Sequence, residues 1–421
     1  MQETERKLIQ AVDALEDDIL AFTSRLVAQD STLGNEAGAL AEVKSEFSRL
    51  GFEPTIVPIE VEALSSHPGF APVPWDYQGR YNVVATRPPD ASGGKSALFN
   101  GHLDVVSPEP LDHWTKDPFS PLVEDGWMYG RGAADMKSGV AAMIYALKAV
   151  ENAGFGLAAP VTLETVIEEE CTGNGALACR AAGYDAEAVL IPEPFGPVIL
   201  TSQVGVCWFK VSLHGVSKHA LETHLGVNAI EKCYPLFQAL RGLEDELNRH
   251  PHPAFKHLDH PINLNIGTAK GGAWPSTVPA MAEFHCRLSF FPGMSFENIS
   301  GQVEKTIKEA SGADPWLASN PPQVEFYGFR SQGHSLKPDL PAFKILDGCH
   351  HALSGEHALE FASTSTTDLR SFVFYGQGQA TCFGPVGENI HAEDERVEIG
   401  SILHTAKVYA LFLARWCGLV E

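Results

Sequence analysis

The clearest hydrophobic period in the chain follows Asp135, where Val140, Met143, Ile144, Leu147 and Val150 recur at helical spacing and mark one apolar face. Ahead of that helix, TIVPIEV, YNVVAT and SALFNGHLDVV read as strands, and behind it VTLETVI and AVLI do the same. The first fifty residues predict a helix, a turn over 32–36 and a second helix over 37–50. Strands that alternate with helices in this way argue for an open α/β sheet.

Near Gln203 the pattern changes. VGVCWFKVSLHG predicts a strand, and residues 228–248 predict a helix with Pro235 in its first turns or at a kink. INLNIGTAKGG and AMAEFHCRLSF follow as strands, 296–310 as a helix and QVEFYGF as a strand. That order, β-α-β-β-α-β, is the split ferredoxin-like unit. After about Arg330 the α/β pattern resumes and ends in an amphipathic helix over 396–416. The expected organisation is therefore an α/β domain in two parts, 1–203 and 329–421, interrupted by an inserted α+β domain over 204–328. A chain of 421 residues is long enough for this, since one ordinary core rarely grows so large.

Charge narrows the partners. The 53 acidic residues outnumber 30 basic ones, for a net charge of −23, which disfavours nucleic acid and anionic membrane surfaces. The start, MQETERKLIQ, has no apolar signal core, and no apolar run reaches the ~20 residues of a membrane span. Eight scattered cysteines without a CxxC pair suit a reduced, cytoplasmic protein and argue against a thiolate-held zinc.

Candidate chemistry collects where strands end. His102 and Asp104 follow SALFNG, Glu169 and Glu170 follow VTLETVI, and Glu193 follows AVLI. In open α/β sheets ligands bind at the carboxyl ends of strands, so these groups are expected to converge. Asp135 in GRGAADMKSG and His391 in GENIHAEDE add a carboxylate and an imidazole. Each has an ordinary alternative: a satisfied strand-end histidine, a solvated acidic run, a helix N-cap. Two histidines and several carboxylates suit zinc, manganese or cobalt held by N and O donors. HPHPAFKHLDHP, with its four histidines, reads as a loop. GGKS lacks the first glycine of a phosphate loop, and no Gly-x-Ser-x-Gly elbow supports a serine hydrolase.

In order along the chain, GHLDVV, GRGAADMKSG, EEECTGNG, IPEP, HALETHLGVNAI and GENIHAEDE resemble the motifs of the dinuclear zinc amidohydrolase and peptidase family. That family includes acetylornithine deacetylase, succinyl-diaminopimelate desuccinylase, aminoacylase and glutamate carboxypeptidase. The resemblance spans about Gln29 to the last helix. It implies a zinc-peptidase-like α/β catalytic domain with a central, mostly parallel sheet and an inserted lid and dimerisation domain. By the same resemblance, His102, Asp135 and Glu193 hold one divalent metal, and Asp135, Glu170 and His391 a second. Zinc is expected, with cobalt or manganese as alternatives. Asp104 supports His102 from behind, Glu169 is the general base, and a cis peptide follows Asp135. His219 supplies an oxyanion donor, often from a partner subunit, and Arg287 grips a substrate carboxylate.

Three departures fall in the inserted domain. Ser276 stands where the family usually has asparagine, His285 where it has aspartate, and Thr223 where it has proline. The expected activity is hydrolysis of the amide of an N-acyl amino acid or related small amide by a homodimeric enzyme. A dipeptidase, aminopeptidase or aryl-amine aminohydrolase on the same metals is the enzymatic alternative, and a binding protein without catalysis the other.

Overall fold

The computed structural model describes residues 3–377 and 379–421. Its central sheet has six strands in the order Pro54–Pro58, Tyr81–Arg87, Val161–Val166, Ala97–His102, Ala188–Ile191 and Ala380–Cys382. The last four run parallel, and the first two join them by antiparallel pairings at one edge. Val161–Val166, Ala97–His102 and Ala188–Ile191 are buried along their whole lengths, as central parallel strands must be when both faces are covered. Their carboxyl ends consequently open on one side.

Helix Ser138–Asn152 lies against Ala97–His102 and under the last helix, Ile399–Trp416. The sequence predicts one apolar face for it, yet nearly every side chain is buried, because other helices cover its outer side as well. The first fifty residues hold three helices rather than two: Glu3–Asp13, Glu16–Val27 and Ala37–Leu50. Glu16, Asp17 and Asp18 favour a fresh helix N-terminus, and the chain restarts there.

Val198–Gln203 forms the middle of a separate three-stranded sheet, between His334–Ser335 and Leu359–Ser363. The chain passes from it into a four-stranded antiparallel sheet, ordered Leu264–Gly271, Met281–Phe290, Gly205–His214 and Gln323–Ser331. Helices Cys233–Asn248 and Phe296–Gly312 pack together on this sheet, with Pro235 in the first turn of the former. Phe209, Phe284 and Leu288 fill a second core beneath the helices. The alternate positions Trp208, Lys210, Glu283, His285 and Arg287 turn to the opposite face. A small sheet of Leu122–Glu124, Trp127–Tyr129, Arg396–Glu398 and Gly387–Glu388 holds the ends of the loop that carries His391. Among the described residues no helix is long and apolar enough to cross a membrane.

Candidate metal centre

His102 ends the strand Ala97–His102, and Glu169–Glu170 and Glu193 lie just past its two parallel neighbours. Asp135 sits in the wide helical turn Ala133–Lys137, and its peptide bond to Met136 is cis. His391 adopts a left-handed backbone, φ 63°, in its loop. These pieces meet. His102 Nε2 lies 3.0 Å from Asp135 Oδ1, and His391 Nε2 lies 3.4 Å from Asp135 Oδ2 and 3.0 Å from Glu170 Oε1. Asp135 thus stands between the two imidazoles.

The tautomers sharpen the picture. His102 Nδ1 donates to the backbone carbonyl of Asp104 at 2.9 Å, so a neutral ring turns its Nε2 lone pair onto the Asp135 carboxylate. Two acceptors that close need a proton or a cation between them. Burial alone would lower the His102 pKa, but Asp135 and its acidic neighbours hold it well above the usual value. The Glu170 charge, with Asp135, pushes His391 up to about 11. Burial works against Asp135, yet its hydrogen bonds to both histidines keep it well below the ordinary carboxyl range. Burial, then the neighbouring carboxylates, drives Glu169 and Glu193 well up.

The donors fit divalent cations. Asp135, Glu169, Glu170, Glu193 and Asp368 crowd against only two imidazoles in a largely buried site. Glu169 Oε1 and both Asp368 carboxylate oxygens have no hydrogen-bond partner among the described residues. Asp368 has only a 3.7 Å ion pair with Arg370; buried carboxylates short of hydrogen bonds are costly, and N and O donors without thiolate suit hard or borderline divalent metals. His102, Asp135 and Glu170 alone already bring one ligand atom each within 4.8 Å of one another.

Asp104 serves differently from expectation. Its carboxylate is 3.8 Å from His102 Nδ1 and instead accepts the backbone N–H groups of Glu169 at 3.2 Å and Glu170 at 3.1 Å. The strand end leaves those two donors in need of an acceptor, and the carbonyl of Asp104 is left to orient the histidine. Burial raises the Asp104 pKa to about 7.

Several residues that shape the site have no role predicted from the sequence, although Glu168 and Glu395 lie within EEECTGNG and GENIHAEDE. Glu168 is buried with φ 70° and accepts from Trp75 Nε1 and Thr172 Oγ1, both at 2.7 Å, and from Tyr77 and Arg80. Glu395 accepts the backbone N–H groups of Ala134 and Asp135 at 3.0 Å and pairs with Arg131, which clamps the turn that presents Asp135. Asp368 precedes the helix Leu369–Tyr375 without capping it.

The other expected residues lie elsewhere. His219 is exposed, and its Nδ1 caps its own turn by accepting from Leu221 N at 3.1 Å. Ser276 is exposed, and its carbonyl accepts from Ala220 N. Arg287 is partly buried on the sheet face opposite the helices, and its Nη2 donates to the Thr364 carbonyl at 3.4 Å. No carboxylate pairs with Arg287 among the described residues, and burial lowers its pKa.

The sequence matches the Peptidase family M20/M25/M40 over residues 98–415. An N-formyl-4-amino-5-aminomethyl-2-methylpyrimidine deformylase of Bacillus subtilis is 27% identical over 376 residues, 83% of this chain and 86% of that protein. A succinyl-diaminopimelate desuccinylase of Cupriavidus necator is 26% identical over 414 residues, 94% and 98% of the two chains. The fold is similar to that of the di-peptidase Dug1p from Saccharomyces cerevisiae, with a TM-score of 0.83, 17% identity and complete coverage of both chains. It is also similar to human carnosine dipeptidase 1, with a TM-score of 0.76 and 17% identity over 98% and 99% of the chains.

Proposed function

This chain belongs to the Peptidase family M20/M25/M40, and from that premise we propose that it is a metal-dependent amidohydrolase acting on non-peptide carbon–nitrogen bonds of small molecules, with its residues dividing the work as follows. His102, Asp135 and Glu193 hold one divalent cation and Asp135, Glu170 and His391 the second, with zinc the first candidate and cobalt or manganese the alternatives. The observation that carries this assignment is the position of Asp135, one oxygen toward each imidazole at 3.0 and 3.4 Å. Such cations, when bound, polarise an amide carbonyl and bring the pKa of water at the site to about 7.

Glu169 is the base. Its Oε1 has no hydrogen-bond partner among the described residues and its Oε2 lies 4.0 Å from His102 Nε2, which supports a carboxylate beside the proposed ligands that is free to move a proton. Glu169 takes a proton from water as the oxygen joins the acyl carbon. It returns that proton to the departing nitrogen as the C–N bond breaks, leaving a carboxylic acid and an amine. Arg287, a partly buried guanidinium without a carboxylate partner among the described residues, is suited to an anionic group of the substrate. We read 204–328 as a lid that also pairs two copies. Exposed Leu221 (85%) and Trp274 (69%), near His219, support a contact there, through which His219 would serve a second copy's site. Eight free, buried cysteines support a cytoplasmic setting.

The test is Glu169→Ala in zinc-reconstituted protein, with turnover of N-formyl, N-acetyl and N-succinyl amides followed beside metal content. Turnover should fall by about 10³-fold or more with two metals retained. Loss of metal in step with activity reassigns Glu169 as a ligand.

A further inference from the structure

A cavity of about 980 Å³ adjoins Asp104 and Glu170 and reaches the outward face of the four-stranded sheet. Five aromatic side chains line it: Trp75, Trp114 and Phe119 from loops of the α/β body, Trp208 and Tyr327 from neighbouring strands of the sheet. The rings are held in place. Trp75 Nε1 donates to Glu168 at 2.7 Å, Trp114 Nε1 donates to the Pro108 carbonyl at 2.7 Å, and Trp208 stands at a steep angle to Tyr327 at 5.9 Å. Fixed aromatic walls of this kind receive flat rings.

The charge of the lining is equally selective. Asp30, Glu109, Asp117 and Glu170 face the cavity, and its lysine, Lys116, is engaged with Glu124 at 2.6 Å. Arg287 does not line it. A carboxylate on the group that fills this space meets like charge and no free cation.

Tyr327 adds a direction. Its hydroxyl is 2.5 Å from His285 Nδ1, and His285 Nε2 is 3.0 Å from the Glu283 carboxylate. The carboxylate can only accept, so the neutral imidazole carries its proton on Nε2 and accepts at Nδ1. The Tyr327 O–H is therefore spent on His285, and a ligand that meets the phenol oxygen must donate. Burial pushes the phenol up to about 12, so it keeps this proton. His285 is also one of the three departures noted in the inserted segment, and an aspartate in its place would stand beside Glu283 as a second negative charge.

We infer, resting on the amide-hydrolase reading above, that the released amine carries a flat aromatic ring with an N–H donor, seated in this cavity and read by Tyr327, with His285 as the residue that positions the Tyr327 hydroxyl. Zinc-reconstituted full-length protein tests this with three formamides: N-formyl benzylamine, its ring-aminated ortho-amino counterpart, and N-formyl phenylalanine. The aminated ring should lead the plain ring by about tenfold in kcat/KM, through KM, with the carboxylate-bearing amide slowest. Tyr327→Phe should bring the two ring amides to within about twofold of each other in kcat/KM. His285→Asn should reduce the preference alone but add nothing to Tyr327→Phe, an outcome that a general loss of structure does not produce.

Fastest cleavage of N-formyl phenylalanine, or equal slowing of both ring amides by Tyr327→Phe, overturns the inference and leaves amide hydrolysis standing. If metal-loaded protein cleaves none of the amides named here, the hydrolase reading itself falls. The cavity is then decided by calorimetry with ortho-aminobenzylamine against benzylamine, and equal affinities overturn the inference.

Discussion

The two sheets that meet across the cavity handle their polar residues by opposite rules. In the parallel half of the central sheet the strands are buried throughout their length, and apart from Glu164 the ionisable groups gather at or past their ends: His102, Glu169, Glu170 and Glu193. In the antiparallel sheet the charged groups sit along the strands, on every second residue, as Glu283, His285 and Arg287 do. Strand ends release backbone direction and let loops aim side chains at one point, which suits bond-breaking chemistry. A strand face offers a fixed grid about 7 Å apart along each strand, which suits reading the outline of a ligand. On the proposed function, chemistry and recognition fall to different geometries.

The sharpest way to break this division is Asp135→Ala. It removes the one carboxylate placed between His102 and His391, so turnover should fall by at least about 10³-fold, with loss of bound metal by elemental analysis. Retained metal would mean that the strand ends do not depend on it. Glu168→Ala probes the frame beneath. It leaves Arg80 half-paired and strips Trp75, Tyr77 and Thr172 of their acceptor, so urea unfolding should report about 3 kcal/mol of lost stability.

A smaller effect separates strand interior from strand end. Glu164 is buried opposite Asn100, whose Nδ2 donates to it at 3.1 Å, and burial raises its pKa to about 8. The folded state therefore holds a proton that the unfolded chain, with an ordinary carboxyl, gives up near pH 4.5. This contribution to stability is complete below that pH and is lost as pH rises toward 8. Glu164→Gln should be nearly neutral at pH 4.5 and raise the thermal midpoint at pH 8, worth about 4 kcal/mol at most. Equal effects at both pH values would show the carboxyl ionised throughout. Smallest of all, Trp274→Glu on the exposed edge of the antiparallel unit should alter monomer stability by no more than about 0.5 kcal/mol. Sedimentation should nonetheless show a shift from dimer to monomer, and an unchanged sedimentation coefficient would remove Trp274 from any subunit contact.

The same division explains what the amino-acid order reveals. Apolar runs that stop at His, Glu or Asp are visible by inspection, and the residues expected at those stops do come together. Asp368 is hidden because a single aspartate before a short helix resembles a cap, and only packing shows that it caps nothing. Glu395 sits in an acidic run, and its service to the Ala134–Asp135 backbone joins segments some 260 residues apart. The HxD spacing makes Asp104 a neighbour of His102, but which of its oxygens faces the ring depends on the donors left by a different strand. On the antiparallel sheet, alternation identifies the outward face and gives no hint that His285 would link Glu283 to Tyr327.

The left-handed turn at Glu168 makes three identical letters do unlike things. The first glutamate points down into a cage of aromatic and guanidinium groups, and its two successors are swung toward His102 and His391. Nothing in side-chain composition distinguishes them; only the bend does. Deleting any one residue of this trio would leave the written sequence almost unchanged in character while rotating each remaining carboxylate into its neighbour's post. A tract that looks redundant is therefore among the places least tolerant of a shift in frame.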